Sequence, residues 1–228
     1  MREPAAYADE IERDATLPAG SGERFFGYGV TGLPFRSGHI LGLRCLPASS
    51  IGPGYRSVWH RDPTGRWTFY QDQPAELACT RYFGAAVDEV REGPIEIAWT
   101  GPRSFEVDAG GRGLAWTVEL ASTPVTGALN RVASVLPERA WHSPSVLAVM
   151  SRAAGLALRA GRVRLTGVAP NGQRFVANPL RIWVARASSA RVHGIDLGAM
   201  GPAPEQAHLH DFAIPQRGVF VVGRTFFA

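Results

Sequence analysis

Apolar and polar residues alternate with a period of two through most of this chain, and the alternation is broken once, in the middle, by a helical period. Ile95, Ile97 and Trp99 alternate with Glu96 and Ala98, Phe105 and Val107 with Ser104 and Glu106, and Leu114, Trp116, Val118 and Leu120 with Thr117 and Glu119. This predicts a three-stranded meander over 94–100, 103–108 and 114–122. A slip of one residue would turn every apolar side chain outward, so the pattern sets the faces. Loop lengths pair Trp99 with Phe105 and, across a loop around Gly110-Gly111, Phe105 with Trp116, placing three rings in one row.

A second hairpin is predicted from 55–62 and 66–72, joined by Asp62-Pro63-Thr64-Gly65, a type I turn followed by glycine in a left-handed position. That register sets Trp59 opposite Phe69 and Arg61 beside Trp67. One face carries Tyr55, Trp59, Trp67 and Phe69, and the other Arg56, Val58, His60, Thr68, Tyr70 and Asp72. Asn171-Gly172 signals a further hairpin between 161–169 and 173–178. Strands are also expected at 39–46, 79–83, 180–187, 190–193 and 217–227, the last pairing with an early strand.

The interruption begins at Thr123-Pro124, a capping side chain followed by a proline whose missing N–H costs nothing in a first helical turn. Val125, Ala128, Leu129, Val132 and Leu136 then form one apolar stripe, and Pro137 ends the helix. Ser143-Pro144 repeats the entry signal, and a second helix, apolar around most of its circumference, runs toward Gly161 as its expected terminator. Residues 1–24 read as a peripheral acidic arm with a short helix from about Tyr7 to Asp14, and 25–228 as a single domain.

The fold expected is therefore mainly β: an antiparallel, strongly curved sheet or β-barrel of calycin/lipocalin-like architecture, with a two-helix insertion at about 124–160. Gly65-Arg66-Trp67 resembles the Gly-x-Trp signature of lipocalins over three residues, although that family carries the motif on its first strand and here it lies on a later one.

Composition narrows the chemistry. All 24 basic residues are arginine, so Schiff-base catalysis, lysine-bound pyridoxal phosphate and Walker-type phosphate loops are excluded. Arginines scattered among acids, without interleaved aromatics, argue against nucleic-acid binding. Gly27, Gly29 and Gly32 match G-x-G-x-x-G, but Pro34 and a strand-like run follow where a phosphate-binding helix is required, so these glycines are expected to serve a bulge or close strand packing. Neither a leader-like N-terminus nor an 18-residue apolar span is present, which suits a cytoplasmic chain without a membrane span, and Cys45 and Cys79 read as buried free thiols.

No metal or cofactor is expected. His208 and His210 lack a convergent ligand set, and Glu96, Glu106 and Glu119 read as a solvated face. The leading expectation is a soluble binder of a hydrophobic small molecule, held in a cup lined by Trp59, Trp67, Phe69, Trp99, Phe105 and Trp116. The alternative is a cofactor-independent cyclase, isomerase or hydratase in which His60, Tyr70, Asp72 and Arg56 supply acid–base help. A third reading makes the helix pair an interaction surface, for instance for a homodimer.

Overall fold

The computed structural model describes residues 2–110 and 113–228. A helix α1 (Pro4–Arg13) precedes four strands, β1 (Glu23–Pro34), β2 (Ile40–Ser49), β3 (Tyr55–Arg61) and β4 (Trp67–Gln71). A short helix α2 (Thr80–Phe83) leads to β5 (Glu89–Glu92), β6 (Glu96–Gly101), β7 (Ser104–Asp108) and β8 (Leu114–Ala121). The helix pair α3 (Pro124–Val135) and α4 (Pro144–Ala157) follows. The chain closes with β9 (Thr166–Val168), β10 (Arg174–Val192), β11 (Ile195–Asp196), β12 (His208–Leu209), β13 (Phe212–Ala213) and β14 (Val219–Phe227).

Ten strands form one sheet in the order β5-β4-β3-β2-β1-β14-β10-β8-β7-β6, with β9 and β11 pairing off β10. The last long strand pairs with the first, as anticipated. The sheet is mixed, not purely antiparallel: Thr68 to Gln71 pair in parallel with Glu89 to Glu92. The cause lies in residues 72–88, which include α2 where a strand at 79–83 was expected. This connection is long enough to carry the chain back to the start of β4, as a parallel pair demands.

Three segments anticipated as separate strands, 173–178, 180–187 and 190–193, belong to the single strand β10. Its ladders shift between Pro179 and Arg181 and between Ala185 and Ala187. Proline cannot donate to a ladder, so the first shift falls where the period-two pattern also breaks. Trp59 faces Phe69 and Trp99 faces Phe105, as expected. Phe105, however, faces Val118, and Trp116 faces Val107. The two-residue slide keeps every side chain on its face, so alternation alone does not distinguish the two registers. The connecting loop includes Gly111 and Arg112, which lie outside the described residues.

The curl follows from which rings meet. Trp99 on β6 and Tyr28 on β1 are five strands apart, roughly 24 Å in a flat sheet, yet their rings lie 6.3 Å apart. The face that carries them is therefore concave, and the sheet is a half-barrel. Its hollow is filled by side chains: Trp116, Trp183, Phe105, Phe220 and Val118 are essentially inaccessible. The N-terminal helix is part of this core and not a loose arm, since Ala8 and Ile11 are buried in it and Tyr7 packs 5.8 Å from Trp183.

The convex face has two covers. Helix α2 and the segment carrying β12 and β13 pack on Trp59, Trp67, Phe69 and Tyr55. Helices α3 and α4 pack on Ile182, Val184, Val219 and Val221 of β10 and β14.

A candidate ligand cavity beneath the helix pair

The helix pair stands off the sheet because of what lies on each side. On the convex face Gly27 of β1 pairs with Gly223 of β14, and Gly223 with Pro179 of β10, so three adjacent strands present almost no side chain. The glycines are required by close backbone approach: a Cβ at Gly27 would come within 2.0 Å of the Cys45 carbonyl, and one at Gly223 within 2.4 Å of the Asn178 carbonyl. Gly27 and Gly29 of the apparent nucleotide motif thus serve strand packing, with a ladder shift between Phe26 and Tyr28.

The helices are held at a fixed height over this bare floor. Thr123 and Thr126 form a reciprocal capping box, Thr126 N–H donating to Thr123 Oγ1 at 3.1 Å and Thr123 N–H to Thr126 Oγ1 at 2.8 Å. One turn later the buried Asn130 side chain donates to the Ile182 carbonyl at 2.9 Å and accepts from the Ile182 N–H at 2.8 Å. That pair of hydrogen bonds fits a backbone edge and fixes α3 to β10. Helix α4 ends with Ala160 N–H on the Gly155 carbonyl and Arg159 N–H on the Leu156 carbonyl. This is a Schellman closure, and Arg159, not Gly161, holds its left-handed position at φ 52°.

Between helices and floor lies a cavity of about 390 Å³. Leu129, Ala133, Met150 and Ala154 form its roof, and Ile182, Val219, Val221 and the glycines its floor. Val132 and Val149 belong to the lining and are 52% and 66% exposed, so the cavity opens between the two helices. Its volume falls within the ~300–1,000 Å³ of typical small-molecule sites, which are likewise mostly apolar.

Three arginines and no carboxylate line it. Arg164 pairs with Asp211 at 2.5 Å and Arg224 with Glu138 at 2.6 Å. Arg44 is different. It rises from the convex face of β2, its guanidinium 4.4 Å from the Trp59 ring and 5.6 Å from that of Phe212. Nη1 donates to the carbonyls of Val30 at 2.6 Å and Leu43 at 2.8 Å, and Nη2 to that of Thr31 at 3.2 Å. Among the described residues it forms no ion pair. Burial draws its guanidinium below the ordinary arginine value, although arginine stays charged.

The residues singled out from sequence lie elsewhere. Trp59, Trp67 and Phe69 sit in the convex cluster under α2, and Trp99, Phe105 and Trp116 in the concave core, so the sheet separates the six aromatics into two groups. None of them lines the cavity. His60, Tyr70, Asp72 and Arg56 do share one strand face, but only Asp72 and Arg56 bond to each other, and they do so through the Arg56 backbone. The His39 and His60 rings stack 5.2 Å apart, with His39 Nδ1 3.0 Å from His60 Nε2. Tyr70 Oη lies 3.3 Å from His193 Nε2. Asp72 accepts from the Arg56 N–H at 2.8 Å, while the Arg56 guanidinium pairs with Glu12 at 2.9 Å.

Burial, with His39, His193 and Arg91 nearby, pushes His60 down to about 4. Burial raises Tyr70 and Asp72. Both cysteines are free and buried, as read from sequence. Among the described residues no group of His, Cys, Asp and Glu is arranged to hold a metal ion, and no helix is long and apolar enough to cross a membrane.

Comparison with family models, with curated proteins and with solved structures finds no match. The functional reading therefore rests on geometry alone. Arg44 was the missed residue. Its signal was present: one arginine inside the apolar run Ile40-Leu41-Gly42-Leu43-Arg44-Cys45-Leu46.

Proposed function

We propose that this protein binds a hydrophobic small molecule, and that the molecule lies beneath the helix pair, not in the hollow of the half-barrel. The observation that carries the reading is the cavity itself: apolar above and below, floored by glycines that cannot gain a side chain, and open between Val132 and Val149. A concave face already packed with Trp116, Trp183, Phe105 and Phe220 offers no comparable support for a ligand there. The enzymatic alternative has less support, because His60, Tyr70, Asp72 and Arg56 have their own partners and none of them lines this cavity.

The neutral fluorophore Nile red tests the reading. It is expected to bind the intact protein at one saturable site with a blue-shifted emission. Ala154→Trp, which places an indole in the roof, is expected to lower that affinity at least about tenfold with the circular dichroism spectrum unchanged. Binding that is unaffected by the indole would place the dye on exposed helix surface and end the assignment.

A further inference from the structure

Arginine carries five N–H donors in a planar fork. At Arg44 both Nη1 hydrogens and one on Nη2 are taken by the Val30, Leu43 and Thr31 carbonyls. One hydrogen remains on Nε and one on Nη2, the two nitrogens that flank one edge of the guanidinium. That edge is the one that receives the two oxygens of a carboxylate side by side. A partly buried cation without a counter-ion is unfavourable, and the ring faces of Trp59 and Phe212 offset only part of this. The cavity wall supplies no acid to complete the pair.

Building on the reading of the cavity as a hydrophobic ligand site, we propose that its ligand is a single-chain amphiphile with a carboxylate head, the head seated on the open edge of Arg44 and the chain lying between the helices and the glycine floor. One uncompensated positive charge matches a monoanion. A phosphate monoester, with nearly two negative charges, would require a second free cation, and Arg164 and Arg224 are already paired. The carbonyl contacts of Arg44 also tie β2 to the irregular part of β1, and that tie holds the fork in the cavity wall before any ligand arrives.

The test is displacement of Nile red from the full chain by dodecanoate, dodecanol and dodecyltrimethylammonium, each kept below its micellar concentration at pH 7.5. Dodecanoate is expected to bind roughly tenfold to hundredfold more tightly than dodecanol, the range set by charge-assisted hydrogen bonds, and the ammonium to bind most weakly. Arg44→Gln is expected to bring dodecanoate to the level of dodecanol. Arg44→Lys, which restores charge without the fork, is expected to recover only part of the difference. If dodecanol matches dodecanoate in the native protein, the carboxylate inference fails while the hydrophobic site stands. If none of the three displaces the dye, the site itself is wrong. The head-group series uses the native chain and decides the matter even if the Arg44 variants do not fold.

Discussion

Arg159 adopts φ 52° at the end of α4, a left-handed position where a side chain other than glycine costs about 1–2 kcal/mol. It is exposed and only its backbone enters the helix closure. Arg159→Gly is therefore expected to raise the unfolding free energy by roughly 1 kcal/mol in urea titration. His60 makes a different prediction. Its folded pKa of about 4 lies below the 6.5 of the free side chain, so between these values the unfolded chain binds more protons. The stability contributed by the neutral ring is complete above pH 6.5 and is lost as pH falls toward 4. The loss amounts to about 3 kcal/mol. Asp62, Glu23 and Asp211, whose carboxyls are held below their usual range by hydrogen bonds and arginine partners, weaken the fold at still lower pH. The histidine contribution is isolated by comparing unfolding at pH 7.5 and 4.5 in the native protein and in His60→Gln, which should show the shallower slope. Equal slopes would remove His60 from the acid response.

At the scale of the element, the helix pair shows how far pattern reading extends. Both start signals held: Thr123-Pro124 opens α3 and Ser143-Pro144 opens α4. The buried faces followed the apolar stripe only in part. On α3 the fully buried residues are Thr126 and Asn130, Leu129 and Leu136 of the stripe are partly buried, and Val125, Val132 and Val135 are 38%, 52% and 79% exposed. Polar residues hold the packed face because each satisfies a backbone group, Thr126 at the cap and Asn130 on Ile182. Hydropathy does not register such bonds, so the stripe pointed about one helical position away from the true contact. On α4, Leu147 is 1% exposed and Leu156 82%. A helix apolar around most of its circumference is thus buried on one side. Leu147→Ala is expected to cost about 2–5 kcal/mol, and Leu156→Gln less than about 0.5 kcal/mol. Comparable losses at the two positions in thermal unfolding would mean that the outer face of α4 is covered in solution.

For the whole molecule, alternation identified the meander strands and the tight hairpins, because these depend on neighbours in sequence, while it missed β5 and read α2 as a strand. It did not reveal which face curls inward, since both faces are apolar over β1 to β4: Tyr28 and Val58 point one way, Phe25 and Trp59 the other, and all four are buried. Six aromatics read as one lining belong to two cores for this reason. The same ambiguity hid the role of α1, whose acidic residues suggested a solvated arm. Seen in place, its charges are its attachments. Glu12 accepts from Tyr28 and pairs with Arg56, and Glu3 pairs with Arg103, so the helix is tied to β1, β3 and the β6–β7 turn while Ala8 and Ile11 close the concave core. If α1 is an integral wall, Ile11→Ala should cost about 2–5 kcal/mol, the loss for a fully buried aliphatic side chain. The loss should appear in one cooperative transition, whether followed by tryptophan fluorescence or by backbone circular dichroism. A loss below about 0.5 kcal/mol, or fraying of α1 ahead of the sheet, would instead make it a detachable arm. The half-barrel would then need another seal over Trp183, whose ring Tyr7 now covers.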